Sequence, residues 1–409
     1  MARSALAKPL LALEPDPPRP LGGGQRLAAI DILRGLVICL MALDHVRDYF
    51  HVSAFTMNPL DVEQTSAWLY ATRWITHFCA PVFVFLAGVS AFLYGSRTDS
   101  RGQLSRFLLT RGLFLIVMEF TLIAMAWNFS SPDLALIVIW AIGASMVALA
   151  GLVWLPRVVV FLIGLVILVG HNLLDPITPA ALGDAGWLWT VLHDPGPILS
   201  SSGEFIAFVA YPLLPWIGVM ALGYGLGAIF LAEPEERGRF LTFTGLGMIA
   251  LFLILRGLDL YGDANHWETW PNVWQAVGDF LDTTKYPPSL LYVLMTLGPA
   301  FVLLPLLDRM EGPVARVFQT YGRVPFFVYV AHILLAHLLM VAVGMAMGHP
   351  FALFQNVLPN PQPLIDVGWG FGLGVVYLVW IAVLVVLYPL CVWFGRLKER
   401  KRSWWLSYL

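Results

Sequence analysis

The string DILRGLVICLMALDHVRDYFH, residues 31–51, puts an arginine and a histidine into one apolar stretch. Arg34 and His45 are 11 residues apart. In a helix that is about three turns, so both side chains lie on one face, roughly 16 Å apart. Asp31, Arg34, Ile38, Met41, His45 and Asp48 continue the stripe at three- and four-residue spacing. An imidazole takes and returns protons near neutral pH, and a buried guanidinium steadies a phosphate or an oxyanion. Asp44 or Asp48 could orient His45, as a carboxylate orients the histidine of a hydrolase triad. The structural alternative is that Arg34 reaches back to the headgroups and His45 rests at the far interface.

Further candidates recur along the chain. TRWITHFCAPVFVFLAGVSAFLYG carries Arg73 and His77 four residues apart. Its Ala87, Ala91 and Gly95 read as a small-residue edge for close helix packing. Glu119 lies inside the next apolar stretch, eight residues after Arg111, as a functional carboxylate or half of an ion pair. In YPLLPWIGVMALGYGLG, Pro212 and Pro215 predict a kinked span. TTKYPPSLLYVLMTLGP places Lys285 at the mouth of another span, and GRVPFFVYVAHILLAH carries Arg323, His332 and His337. No Gly-rich phosphate loop, HExxH, GxSxG or CxxC is present. The three cysteines, Cys39, Cys79 and Cys391, all sit in apolar stretches, so neither a disulfide framework nor a metal site is expected.

The elements that must hold these residues follow from composition. Of 409 residues, 59% are hydrophobic and 12% charged, and the mean hydropathy is +0.76. That excludes an ordinary soluble domain, and a net charge of −2 argues against a nucleic-acid partner. The fold class is an all-α polytopic membrane protein of about ten transmembrane helices around a central polar cavity. The expected spans are 28–50, 69–95, 106–127, 133–153, 156–174, 205–231, 239–260, 288–307, 318–346 and 368–395. No run alternates with period two, which argues against a β-barrel. Three segments result: a Pro/Gly-rich disordered tail over 1–26, a membrane domain over 27–396 and a basic tail over 397–409.

Of the 24 Lys and Arg, 19 flank one side of these spans, Arg34 lies inside the first, and Arg47, Arg73, Arg256 and Lys285 fall on the other. The positive-inside rule places the rich side, and both termini, in the cytoplasm. The nine histidines then lie in the outer half, although histidine is also simply less restricted than Lys and Arg on that face. Loops 175–204 and 261–287 are outside, and their acidic and aromatic residues suit a sugar or polyol as well as an interfacial anchor.

The strings RLAAIDILRGLVICLMALDHVRDYF, FCAPVFVFLAGVSAFLYG, YPLLPWIGVMALGYGLG, TKYPPSLLYVLMTLGP and GRVPFFVYVAHILLAH resemble the bacterial heparan-α-glucosaminide N-acetyltransferase-like membrane proteins. The first span, Arg followed by ten residues and then His, also resembles the acyltransferase-3 proteins. The resemblance implies a bacterial inner-membrane enzyme that moves an acyl group, such as acetyl, from cytoplasmic acyl-CoA to a hydroxyl or amino group of an extracytoplasmic sugar or glycan. By position, Arg34 and His45 match the family's Arg-x10-His pair. A branch of the family uses a histidine nearer the second span, which sets His51 and His77 beside His45. The expected arrangement has CoA phosphates on Arg97, Arg101, Arg111 and Arg323, and the pantetheine arm passing Arg34. His45, with Asp44, Asp48 and His77 nearby, would act as general base or carry the acyl group itself. Lys285, Arg73 and His332 would meet the acceptor. The rival reading is a transporter or flippase, since intramembrane Asp, Glu, Arg and His also mark ion pathways.

Overall fold

The computed structural model describes residues 27–98, 100–130, 134–200 and 202–401. The expected N-terminal tail and residues 402–409 lie outside the described residues. Eleven helices carry the argument: α1 Ala28–Phe50, α2 Ala67–Gly95, α3 Arg101–Asn128, α4 Val138–Leu152, α5 Arg157–Leu174, α6 Leu213–Leu231, α7 Pro234–Leu258, α8 Leu290–Leu307, α9 Pro313–Arg323, α10 Pro325–Ala346 and α11 Leu373–Arg400. Eight of them (α2, α3, α5, α6, α7, α8, α10 and α11) are long and apolar enough to cross a membrane. With α1 and α4 they make the expected ten. α1 has the length, at 23 residues, but is too charged to stand in lipid by itself. α4 is apolar but has only 15 residues, about 22 Å of helix. Both are sheltered by neighbours. α1 packs against α2, α8, α9, α10 and α11, and α4 against α2, α3 and α6.

Side-chain caps set where several of these helices begin. Ser66, Ser100 and Ser289 accept the backbone N–H of Leu69, Gln103 and Tyr292 at 3.0–3.2 Å. Pro234, Pro313 and Pro325 occupy first-turn positions, where no N–H is needed. The helices divide into central and lipid-facing ones. In α8, 72% of the apolar window is buried, against 22% in α7 and α11. Phe243 on α7 and Leu378 on α11 are more than two-thirds exposed, as a lipid-facing side chain should be.

Five expectations from the sequence change. Residues 205–209 form a strand, not the start of span six. Phe205–Val209 lies between Ala135–Leu136, to which it is parallel, and Gly196–Leu199, to which it is antiparallel. FIAFV is rich in strand formers, and Tyr211-Pro212 keeps the helix from starting earlier. Pro212 and Pro215 therefore begin α6 without kinking it; Pro299 and Pro305 lie inside α8 and Pro389 inside α11. The expected span 318–346 is two helices, broken at Val324 because Pro325 disfavours a helical residue before it. Of the small-residue edge, Gly95 packs against Leu104 of α3, but Ala87 and Ala91 line a cavity, and α2 meets α6 through Gly88 and Gly223. At the other end, α11 continues through the expected tail boundary to Arg400.

Glu119 has a structural place. It lies in a π-helical turn of α3, 2% exposed, and accepts the backbone N–H of Trp140 at 2.8 Å. It thereby satisfies one of the orphan donors at the start of α4.

The closest helix crossing is α1 on α9. A Cβ on Gly322 would stand 1.7 Å from the Asp31 carbonyl oxygen, and one on Gly35 1.8 Å from that of Phe318. Gly322→Ala must force the helices apart, at a cost of about 1–3 kcal/mol or more. Thermal unfolding in detergent should show a lowered midpoint. Gly374→Ala on α11, which meets nothing within 4 Å, should leave the midpoint unchanged or raise it slightly.

Candidate functional site

The α1 stripe faces the protein interior, and two of its members gain partners far away in sequence. His45 Nδ1 lies 2.8 Å from His332 Nε2, with the rings stacked at 5.0 Å. The other nitrogen of His332, Nδ1, lies 2.8 Å from the Val328 carbonyl oxygen. A carbonyl only accepts, so His332 Nδ1 carries the proton. In neutral His332, Nε2 is then an acceptor, and His45 Nδ1 must donate to it. His45 Nε2 is left with a free lone pair, and among the described residues it has no hydrogen-bond partner. The backbone of α10 thus fixes the tautomer of a histidine on α1.

Two donors stand beside this pair. The Trp127 ring is 4.7 Å from the His45 ring, and the Tyr329 ring 6.3 Å. The Trp127 Nε1–H and the Tyr329 hydroxyl are buried, close to each other, and neither meets a partner in hydrogen-bond geometry. Buried donors without acceptors call for an explanation, and a substrate oxygen would supply one.

A cavity of 330 Å³ runs from one end of α1 as far as Tyr329. Arg34, Arg111, Arg323 and Lys398 surround its mouth; Ile38, Met41 and Tyr329 line it further in. Arg34 donates to Asp31 Oδ1 (3.2 Å), Ser90 Oγ (3.2 Å) and the Gly322 carbonyl (3.3 Å). Of the other arginines expected here, Arg97 is exposed and Arg101 donates to the Trp154 carbonyl at 2.7 Å; neither lines the cavity. Lys398 was not singled out from the sequence because it reads as part of a basic tail.

A second cavity, of 390 Å³, approaches from the opposite end. Arg47, Asp48, Arg73, His77, Asp282 and Lys285 are among its walls. Asp44 bridges Arg73 (2.6 Å) and Arg47 (2.9 Å), and Arg47 also takes Asp48 (2.7 Å). This corrects the expected orientation of His45: its partner is His332, and the Asp44 and Asp48 carboxylates are spent on arginines. His77 donates Nδ1–H to the Trp74 carbonyl (2.9 Å), which leaves its Nε2 unprotonated as well. His51 instead closes a turn, accepting the Ser53 N–H at 3.2 Å. Lys285 lies over the Tyr286 ring at 5.1 Å. His337 lies between the carbonyls of Ala126 (Nδ1, 3.0 Å) and Phe354 (Nε2, 2.7 Å), donates to one of them as a neutral ring, and belongs to the packing.

One buried cation holds the loop beside the second cavity. Arg256 is fully buried and donates to the carbonyls of Phe280 (2.9 Å), Asp279 (3.0 Å), Asp282 (2.8 Å) and Asn265. It ties loop 259–287 to the end of α7.

The fold is that of an all-α polytopic membrane protein with a charged helix at its centre. Residues 26–257 match the family model described as heparan-alpha-glucosaminide N-acetyltransferase, catalytic. That is more than half of the chain, which belongs to this family of membrane acetyltransferases. No curated protein matches the chain.

Asp282, on the second cavity, gives a pH-dependent prediction. Burial and the neighbouring Asp263 push its carboxyl up to about 6, against the pull of Arg256. The folded state therefore holds this proton more tightly than the unfolded chain does. The stabilisation is complete below about pH 4 and lost as pH rises through about 6. Asp282→Asn should flatten this part of the dependence and raise stability at pH 8 by about 1–2 kcal/mol, after allowance for partial exposure. Thermal unfolding from pH 4 to 8 measures it.

Proposed function

We propose that the protein transfers an acetyl group from acetyl-CoA, held at the basic mouth of the first cavity, to a hydroxyl or amino group of a sugar in the second. The observation that carries this reading is the position and tautomer of His45: an unprotonated Nε2 on α1, between Met41 of the first cavity and Arg47 and Asp48 of the second. The basic mouth is on the cytoplasmic side by the charge asymmetry of the loops, and the acceptor side is extracytoplasmic.

Each step has a residue. Arg111, Arg323 and Lys398 meet the CoA phosphates as point charges or bidentate donors. The pantetheine arm lies along Ile38 and Met41 and brings the thioester toward Tyr329. The Trp127 N–H and Tyr329 O–H donate to the thioester carbonyl and take up the charge that develops on its oxygen. The acceptor attacks the carbonyl carbon and its proton passes to His45 Nε2. The new C–O or C–N bond forms, the C–S bond breaks, and the CoA sulfur leaves with the proton that His45 returns. His332 acts as a positioning residue and shares the charge of the transient imidazolium. Arg73, Lys285 and Asp48 bind the acceptor's polar groups, and the Asp44–Arg73–Arg47 network keeps them in place.

The test uses purified protein in detergent with radiolabelled acetyl-CoA and glucosamine. Wild type should form acetylated sugar. His45→Ala should lower transfer about 10²–10⁴-fold while CoA binding stays intact. His332→Ala should lower it less and alter the pH profile of the rate, since the tautomer of His45 is then no longer imposed. Arg323→Ala should weaken CoA binding about tenfold or more, and added salt should weaken the wild type too. His51→Ala should transfer at the wild-type rate. Full transfer by His45→Ala, with loss in His77→Ala, would move the base to the outer cavity. No transfer and no CoA binding in the wild type, with solute uptake into vesicles, would favour the transport reading.

A further inference from the structure

We propose that His171, Asp175 and His193 form a zinc site on the outer face, separate from the His45 centre. His171 opens the last turn of α5, Asp175 comes directly after that helix, and His193 follows the short helix Gly186–Leu192. One ligand atom from each lies within 4.8 Å of the others. His193 Nε2 and Asp175 Oδ1 are 3.0 Å apart.

The observation that points to a ligand is the state of the two imidazoles. Both are 2% exposed. Neither nitrogen of His171 is hydrogen-bonded, nor is Nδ1 of His193. The Pro288 carbonyl is near the His171 ring but outside hydrogen-bond geometry. A buried imidazole with two orphaned nitrogens is costly, and a cation in the cluster would occupy one of them. The carboxylate is already oriented: Asn172 Nδ2 holds Asp175 Oδ2 at 3.0 Å, and Asn172 Oδ1 accepts the N–H of Leu290 at the start of α8. Such support around the ligands is what a metal site requires.

The donor set selects the ion. Two imidazoles and one carboxylate suit zinc, whereas calcium and magnesium prefer all-oxygen shells. Bonds of about 2.0–2.2 Å in a tetrahedral shell put ligand atoms about 3.3 Å apart, so the cluster needs to close by up to about 1.5 Å. Side-chain rotation supplies that, because His193 can present either nitrogen. Asp175, His193 and Asp194 also line a cavity of 210 Å³, which leaves room for a water or a substrate atom in the fourth position. That cavity shares Thr284 and Tyr286 with the outer cavity of the transfer site. The ion would clamp loop 171–195 against the start of α8 and form part of the wall beside the acceptor.

Zinc itself is the probe, and the full chain carries an affinity tag other than polyhistidine. After EDTA and gel filtration, zinc titration should show one ion per chain with micromolar or tighter affinity. It should also raise the unfolding midpoint by several degrees. His171→Ala and His193→Ala should each weaken this binding about a hundredfold or more, and Asp175→Asn about tenfold or more. Cobalt added to the wild type should give the intense visible bands of a tetrahedral N/O site, a reading that needs no variant. The proposal is overturned if the wild type takes up no stoichiometric zinc, if His171→Ala binds it as tightly, or if cobalt gives only the weak spectrum of the hydrated ion. None of these readings depends on acetyl transfer.

Discussion

A helix carrying Asp31, Arg34, Asp44, Arg47 and Asp48 cannot stand in hydrocarbon, and the rest of the molecule is arranged around that constraint. α1 is enclosed by α2, α8, α9, α10 and α11. Each of its charges is met inside the protein: Arg34 by Asp31, Ser90 and a carbonyl of α9, and Asp44 by Arg47 and by Arg73 of α2. The Gly35–Gly322 crossing brings α9 close enough for that carbonyl to reach Arg34. Two indole and thiol donors bond the α1 backbone itself: Trp380 gives its N–H to the Cys39 carbonyl and Cys79 its S–H to that of Val37. The surrounding apolar helices turn their remaining faces to lipid.

The same enclosure creates two cavities and a barrier between them. One begins at a basic rim, the other among acids, arginines and polar loop residues. Tyr329 lines the first, and Arg47 and Asp48, on the next turn of α1 from His45, line the second. For transfer across a membrane this matters physically. In the proposed reading a thioester would approach His45 through the first cavity and the acceptor through the second, with no open path for ions.

The stripe was legible in the sequence because helical periodicity alone puts Arg34, Ile38, Met41 and His45 on one face. Ten apolar segments were legible by length and hydropathy. What spacing along the chain cannot show is partners brought together by folding. His332 is 287 residues from His45, so a neighbouring carboxylate was the natural expectation for its orienting group. Asp44 was claimed instead by Arg73, 29 residues on. The strand at 205–209 was hidden because a short apolar run followed by a helix has no period of its own. Trp127 and Tyr329 look like ordinary membrane aromatics until their polar atoms are found without partners. The His171–His193 cluster has no motif spacing, since a loop and a short helix separate its members.

The central claim is that one histidine joins two faces of a membrane. Proteoliposomes measure this most directly, with radiolabelled acetyl-CoA confined to the side of the Arg323 mouth and glucosamine to the opposite side. The account predicts labelled sugar in the acceptor compartment, none when donor and acceptor are exchanged, and none with His45→Ala. Equal transfer with the two reagents exchanged, or transfer only when both are on one side, would contradict it.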